Sequence, residues 1–337
     1  MKRRAGFPAA SGVRGLSLIE LMVALALGLL LTAGALSIFL ASRAAFRTTE
    51  DLSRVQEAGR IAFELMARDV REAGGNQCAG VIRFANVTDE RATAFWSKWS
   101  ESFRGFGGDT GFAAPAAGFG SATGERVSGS DAFELHSTQD LGLYLVEAMT
   151  RRDAALKVNA VPSDMKIGDT LMVCDFRLVS VFKVTSFAGA ALGHGTDANC
   201  GSGFTRLSAL LCDDGSAPAQ TWHLYGRSSV VSRPQAVRWF VGRNRAGKNS
   251  LFRQVLYSDQ VPTPAPDEVA EGVSQMAVSY LSEGQPGYRT AAAVTDWARV
   301  KAARVVLTIQ SERSSGVDGD SIGRTVTSVL TLRNRNL

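Results

Sequence analysis

Gly15-Leu16-Ser17-Leu18-Ile19-Glu20 leads without interruption into Leu21–Ser42, LMVALALGLLLTAGALSIFLAS, which holds 22 residues and no charge. Wound as a helix at about 1.5 Å per residue, that run is roughly 33 Å long, enough to cross a hydrocarbon core of about 30 Å. A cleaved secretory signal fits poorly, because its apolar region spans only about 7–15 residues. The composition alone predicts a membrane anchor. Glu20 is the residue such an anchor does not need: a carboxylate near a bilayer centre costs roughly 2.5–3.5 kcal/mol and calls for a partner. A cut after Gly15 would create an ammonium on Leu16, about 6 Å along the helix axis from Glu20. A helix N-terminus also favours a nearby carboxylate through its exposed N–H groups and dipole.

Working outward, the fifteen residues before Leu16 carry Lys2, Arg3, Arg4 and Arg14 and no acid, which accounts for four of the five net positive charges of the 337-residue chain. The remainder is close to neutral, so the basic pI of about 9.2 gives no reason to expect nucleic acid as a partner. Hydrophobic residues make up 45% and charged residues 20%, which excludes global disorder. Arg43, Arg47, Arg54 and Arg60 follow the apolar run closely, so counting flanking charges leaves the membrane orientation undecided.

After Ser42 the helical period continues. Leu52, Val55, Gly59, Ala62, Met66 and Val70 step by three or four and draw an apolar stripe. Opposite charges recur at i,i+4 in Arg60–Glu64, Glu64–Arg68 and Arg68–Glu72. Ala73-Gly74-Gly75 is a stop signal. Beyond it the sequence turns to short β-rich runs separated by turns. They include Ala132–Ser137, Leu141–Met149, Thr170–Asp175, Leu178–Ser186, Ala236–Val241, Leu251–Leu256, Val273–Leu281, Val300–Gln310 and Thr325–Leu332. No second helical run of comparable length alternates with them, so the expected class is α+β, a long helix laid on an antiparallel sheet with an enlarged β-rich head.

Residues 15–24, GLSLIELMVA, resemble the class III signal of type IV prepilins and type II secretion pseudopilins. The resemblance implies cleavage after Gly15 by a prepilin peptidase, N-methylation of Leu16, and a role for Glu20 in neutralising a terminal ammonium during subunit assembly. The family more often has Phe where this chain has Leu16. Further pieces resemble the minor pilins called PilW: Arg71–Gly75 with Cys78, Gly168–Asp175, Val237–Gly242 with Ser250–Arg253, Val269–Tyr280, and the strand ending at Asn334. The likeness is dense over residues 15–80, patchy to Asn334 and absent from about 82–130. It implies a leader at 1–15, a membrane and filament-core helix at 16–42, an amphipathic helix at 43–75 and an extracytoplasmic head at 76–337. The implied partners are the prepilin peptidase, other minor pilins, the major pilin, a tip adhesin and the inner membrane. The implied location is a single-pass inner-membrane protein with a periplasmic head, passing into an extracellular pilus. A type II secretion pseudopilin is the alternative, and an anchored adhesin or enzyme head the third.

The even set Cys78, Cys174, Cys200 and Cys212 suits disulfides in that compartment and permits three connectivities. Cys200–Cys212 and Cys78–Cys174 are the preferred pairs, the latter tying the helix end to the sheet. Zinc is disfavoured, since no C-x-x-C spacing occurs. His136, His194 and His223 stand apart from any G-x-S-x-G elbow, so no catalytic residue and no cofactor is expected. Residues 103–124, FRGFGGDTGFAAPAAGFGSATG, hold seven glycines and four phenylalanines. They read as a flexible surface insertion, with a partner-contact loop as the sharper alternative. Asp318 and Asp320 read as a hairpin turn in preference to a Ca²⁺ site.

Overall fold

The computed structural model describes residues 17–75, 77–78, 83–90, 99–113, 115–205, 222–257, 263–311 and 320–335. A single helix, α1 (Leu18–Glu72), runs for 55 residues, or about 80 Å at 1.5 Å per residue. Its first half is bare. Its second half buries Asp51, Val55, Gly59, Ala62, Met66, Asp69 and Val70, one face repeating every three or four residues. Leu52 belongs to the expected stripe but is 39% exposed, and Asp51 takes the inner position. Stepping back by four from Gly59 and Val55 reaches 51, not 52. Arg68–Glu72 pairs at 3.3 Å as expected, while Arg60 turns to Glu57 at 3.6 Å. The helix stops at Glu72, where the N–H of Ala73 bonds Val70 O and Gly74 takes φ +70°, a conformation glycine adopts without strain.

Eighteen strands follow among the described residues: β1 (Arg83–Asn86), β2 (Phe103–Phe106), β3 (Phe112–Ala113), β4 (Ala116–Ala117), β5 (Ala132–Tyr144), β6 (Leu156–Lys157), β7 (Thr170–Cys174), β8 (Leu178–Lys183) and β9 (Ser186–Ala188), then β10 (Ala191–Gly193), β11 (Phe204–Thr205), β12 (Trp222–His223), β13 (Val230–Arg243), β14 (Asn249–Tyr257), β15 (Asp267–Glu271), β16 (Val273–Ser282), β17 (Val300–Gln310) and β18 (Gly323–Thr331). Eight of them form one sheet in the order β1-β8-β7-β13-β14-β15, with β5 on β13 and β2 on β5; β16-β17-β18 form a second, antiparallel sheet. Pairing is antiparallel throughout the large sheet except for β1 on β8. The fold is therefore α+β, a long apolar helix on a largely antiparallel, β-rich body.

Strand β13 is the spine. On one edge it pairs with β5 along most of its length. On the other it pairs with β7 through Val230–Ser232, then with β14 from Gln235 onward. Pro234 falls in the gap between those two partners, where its missing N–H leaves no ladder bond unmade. The strand expected at Ala236–Val241 thus begins six residues earlier, at Val230. The expected strands at 132–137 and 141–149 are likewise one strand, β5, whose partner shifts register between Val231 and Ser232.

Two cores result. The first joins α1 to both sheets: Val55, Ala62, Met66 and Val70 pack with Phe133, Leu135, Val237, Trp239, Val241, Val305, Leu307 and Ile309. Gly59 allows a close contact here, since a Cβ there would stand 3.1 Å from Ile309 Cδ1, and that side chain would have to give way by a few tenths of an ångström. The second core, Leu143, Leu145, Leu156, Leu171, Val173, Phe182, Leu192, Phe204 and Tyr225 among others, fills a lobe built from β5 to β13. Each fully buried aliphatic or aromatic side chain contributes roughly 1.5–3 kcal/mol relative to exposure.

The Gly/Phe-rich segment corrects the expectation of a flexible surface insertion. Phe103 is fully buried in the first core, and Phe106 and Phe112 pack with Ala132, Phe240 and Phe252 in a small core of their own. Strand β2 extends the sheet beyond β5. Arg126, only 2% exposed, binds the segment from below by donating to Gly107 O, Thr110 O and Ser130 O at 2.7–2.9 Å. Burial lowers its pKa to about 10, and the nearby Asp131 opposes that shift. Phe103, Phe106 and Phe112 place their apolar area inside the molecule. Only Phe119 remains 38% exposed.

Candidate functional site

Gly15 and Leu16 lie outside the described residues, and the site begins at Ser17. Ser17 adopts φ −74° and ψ 148° as the N-cap of α1, and its Oγ accepts the N–H of Glu20 at 3.2 Å. Ser17-Leu-Ile-Glu20 thus has the spacing of a capping box, S-x-x-E, with the glutamate at the third helical position. The pattern is visible in the sequence but masked there by the apolar run. It gives Glu20 a local role at the positive end of the helix dipole, beside any role in assembly. Glu20 is exposed and makes no ion pair with another described residue.

From Leu18 to Leu40 every large apolar side chain of α1 is more than half exposed, for example Leu29 at 70% and Ile38 at 72%. The most apolar 18-residue window has mean hydropathy 2.4, and none of it is buried. In water such a surface would drive aggregation, so its place is a membrane or the apolar core of an assembly. Thr32 and Ser37 return their hydroxyls to carbonyls one turn back, Gly28 O and Gly34 O, at 2.9 and 2.8 Å, so these two hydroxyls are satisfied without water.

The other end of α1 is anchored by polar contacts the sequence reading does not foresee. Asp69, 6% exposed, accepts Trp239 Nε1 at 2.8 Å and both Nε and Nη2 of Arg253, at 2.7 and 3.1 Å. The bidentate pair and the indole N–H together hold the helix to β13 and β14. The hydrogen-bonded carboxylate in turn raises the Arg253 pKa against the lowering effect of burial. At the helix end Asn334 Nδ2 donates to Ala73 O at 3.0 Å, and the N–H of Gly74 bonds His136 O at 2.8 Å. Four residues beyond Gly74, Cys78 forms a disulfide with Cys174 at the end of β7, with Cα atoms 5.9 Å apart. Cys200 is also disulfide-bonded. Cys212 and Asp318 lie outside the described residues.

All three histidines are buried. His136 meets Glu134 at 3.4 Å, and Arg238 meets the same carboxylate at 2.6 Å. Burial alone would raise the Glu134 pKa, but the His136 hydrogen bond and the Arg238 charge hold it below the ordinary carboxylate value. His194 lies against Ala154 O at 2.9 Å, and desolvation lowers its pKa. His223 sits 2.7 Å from Asp175, with side-chain exposures of 3% and 15%. Next to that pair the Tyr225 hydroxyl donates to Ser180 Oγ, and both residues are fully buried. His194 and His223 pack on Phe204 and Tyr225 of the second core, with ring centroids 4.7 and 4.6 Å apart, whereas Arg238 lies over Phe112 at 4.2 Å. No group of three or more His, Cys, Asp or Glu among the described residues is arranged to hold a metal.

A family model for the prokaryotic N-terminal methylation motif matches residues 11–36. No curated protein and no solved structure matches the chain. The motif supports a type IV pilin-like protein or pseudopilin, and with it processing by a prepilin peptidase, association with a membrane and a structural role. The single apolar helix fits a membrane-anchored protein.

Proposed function

We propose that this chain is a minor pilin of the PilW kind, which helps to prime and build a type IV pilus, the fibre of twitching motility and adhesion. The observation that carries the reading is the junction of a methylation motif with one helix that is bare for its first half and clad for its second. The motif's cut falls after Gly15, leaving Leu16 as a methylated terminus. Before assembly the bare half rests in the inner membrane, the leader in the cytoplasm and the head in the periplasm. On assembly the same surface exchanges lipid for the helices of neighbouring subunits. That exchange is near neutral in hydrophobic terms, since lipid and packed helices are equally apolar. Glu20 then meets a terminal ammonium of a neighbouring subunit in a medium where an unpaired charge is very costly. The head stays at the fibre surface, in contact with other minor pilins, the major pilin and a tip adhesin.

The experiment is the N-terminal residue of the protein purified from cells with and without prepilin peptidase, by intact and peptide mass spectrometry. N-methylated Leu16, formed only with the peptidase, supports the reading; a Met1 start in both strains sinks it. A deletion strain separates the pilin from the pseudopilin: loss of pili with export intact favours the pilin, and the reverse result favours the type II secretion protein.

A further inference from the structure

One cleft in the head is unused by the pilin reading. It lies between the end of the Gly/Phe-rich segment and the facing strands β14 and β16, and has a volume of about 670 Å³. Its walls carry Phe119, Ser121, Ser128, Arg243, Asn249 and Gln275, with glycine backbone between them. Val127, the one aliphatic side chain in the lining, is itself buried. A lipid or an apolar peptide would find almost nothing to cover. A nucleic acid or polyphosphate would need several cations, and the cleft has one.

The groups that are present have free valence. The Arg243 guanidinium donates to Gly247 O at 3.2 Å and pairs with no carboxylate of the described residues. The hydroxyls of Ser121 and Ser128 make no hydrogen bond to another described residue and stand exposed. Asn249 donates through Nδ2 to Ser274 O at 3.0 Å and its Oδ1 is buried, whereas Gln275 is exposed and donates through Nε2 to Gly129 O at 3.4 Å. Phe119 presents an exposed ring, fixed from behind by the Arg126 guanidinium 4.9 Å from its centroid. Arg126 is itself locked by three carbonyls, so the aromatic wall is pre-organised.

An aromatic wall, a spread of hydroxyl and amide groups and a single unpaired guanidinium match a small polyhydroxylated anion. We infer that this cleft binds an acidic saccharide: the Arg243 guanidinium takes the carboxylate, the serine and amide groups take ring hydroxyls, and Phe119 covers an apolar sugar face. The inference does not rest on the pilin reading, because N-terminal processing and saccharide binding are read out separately.

The test is saturation-transfer NMR on the full chain in detergent micelles, with a galacturonate trisaccharide as probe and maltotriose as the neutral control. Transfer to the uronate and not to maltotriose is expected. Arg243→Gln should weaken uronate binding roughly tenfold or more, as the charge-assisted contact is lost. Phe119→Ala should reduce transfer to the sugar-ring protons. Ser128→Trp, at an exposed position, fills the cleft and should abolish binding; it serves if Arg243→Gln disturbs folding, which thermal unfolding reports. Equal signals for the two trisaccharides, no transfer to either, full displacement by equimolar acetate, or unchanged binding in folded Arg243→Gln would each overturn the inference.

Discussion

The two halves of α1 share one backbone geometry and differ in what surrounds them. Residues 18–42 face outward with Leu, Ile, Val and Phe. Residues 51–70 turn inward a face that includes Asp51, Gly59 and Asp69, and keep Arg54, Glu57, Arg60 and Arg68 outside. The apolar half has no partner among the described residues, whereas the other half is packed on the sheets, mixed in composition and locked by an ion pair. Hydrophobicity alone therefore does not say which part of this helix is packed. The bare half is selected for a general apolar medium, and the clad half for one particular sheet.

Replacing Asp69 is the most direct way to break that comparison. Asp69→Ala leaves Trp239 Nε1 and Arg253 without their acceptor and should destabilise the head by about 3 kcal/mol, read from denaturant midpoints. On the sheet face turned away from the helix, Glu134 offers the same class of contact to a pH titration. Its pKa is depressed in the folded state, so its contribution is present above the ordinary value of 4.5 and is lost as pH falls through the folded value. Glu134→Gln should flatten the loss of thermal stability below pH 4.5. Gly59→Leu would force side-chain volume against Ile309 and Val326 and should cost about 2 kcal/mol by the same denaturant measurement. Ser17→Ala removes the cap at the far end and should cost the helix about 1 kcal/mol, seen as faster amide exchange over residues 18–21 and not in the head. Leu25→Asn, in the bare half, should shift unfolding of the head by less than about 0.5 kcal/mol. A large effect there would mean that the two halves are not independent.

Much of this was legible in the sequence for simple physical reasons. An uncharged run of helical length admits few interpretations, and the period of Val55, Gly59, Ala62, Met66 and Val70 finds the buried face. The alternation in β13 separates Val237, Trp239 and Val241, which face the helix, from Arg238, which faces Phe112 at 4.2 Å. Where the reading fell short, a non-local contact overrode a local signal. Asp69 reads as a surface charge until Arg253, 184 residues later, is brought to it. Glycines among phenylalanines read as a loop until a buried arginine supplies donors for their carbonyls. The strand expected from Ala236 extends back to Val230 because β7 takes over from β14 as its partner beyond Pro234. The saccharide cleft has no sequence signature at all, since its walls come from three separate stretches of chain.

The cover of the helix comes late. The strands laid on α1 include β15, β17 and β18, and the side chain that seals Ala73 O is Asn334, 261 residues downstream. A chain emerging from the ribosome or threading through a translocon presents residues 51–72 long before their lid exists. Contacts of such long sequence separation form slowly. The charged outer face of that half and its interrupted stripe keep it soluble through the interval, and Gly59 denies it a continuous seam for pairing with another copy. Vectorial synthesis thus gives a second reason for the mixed composition of the clad half: it has to survive uncovered before it is covered.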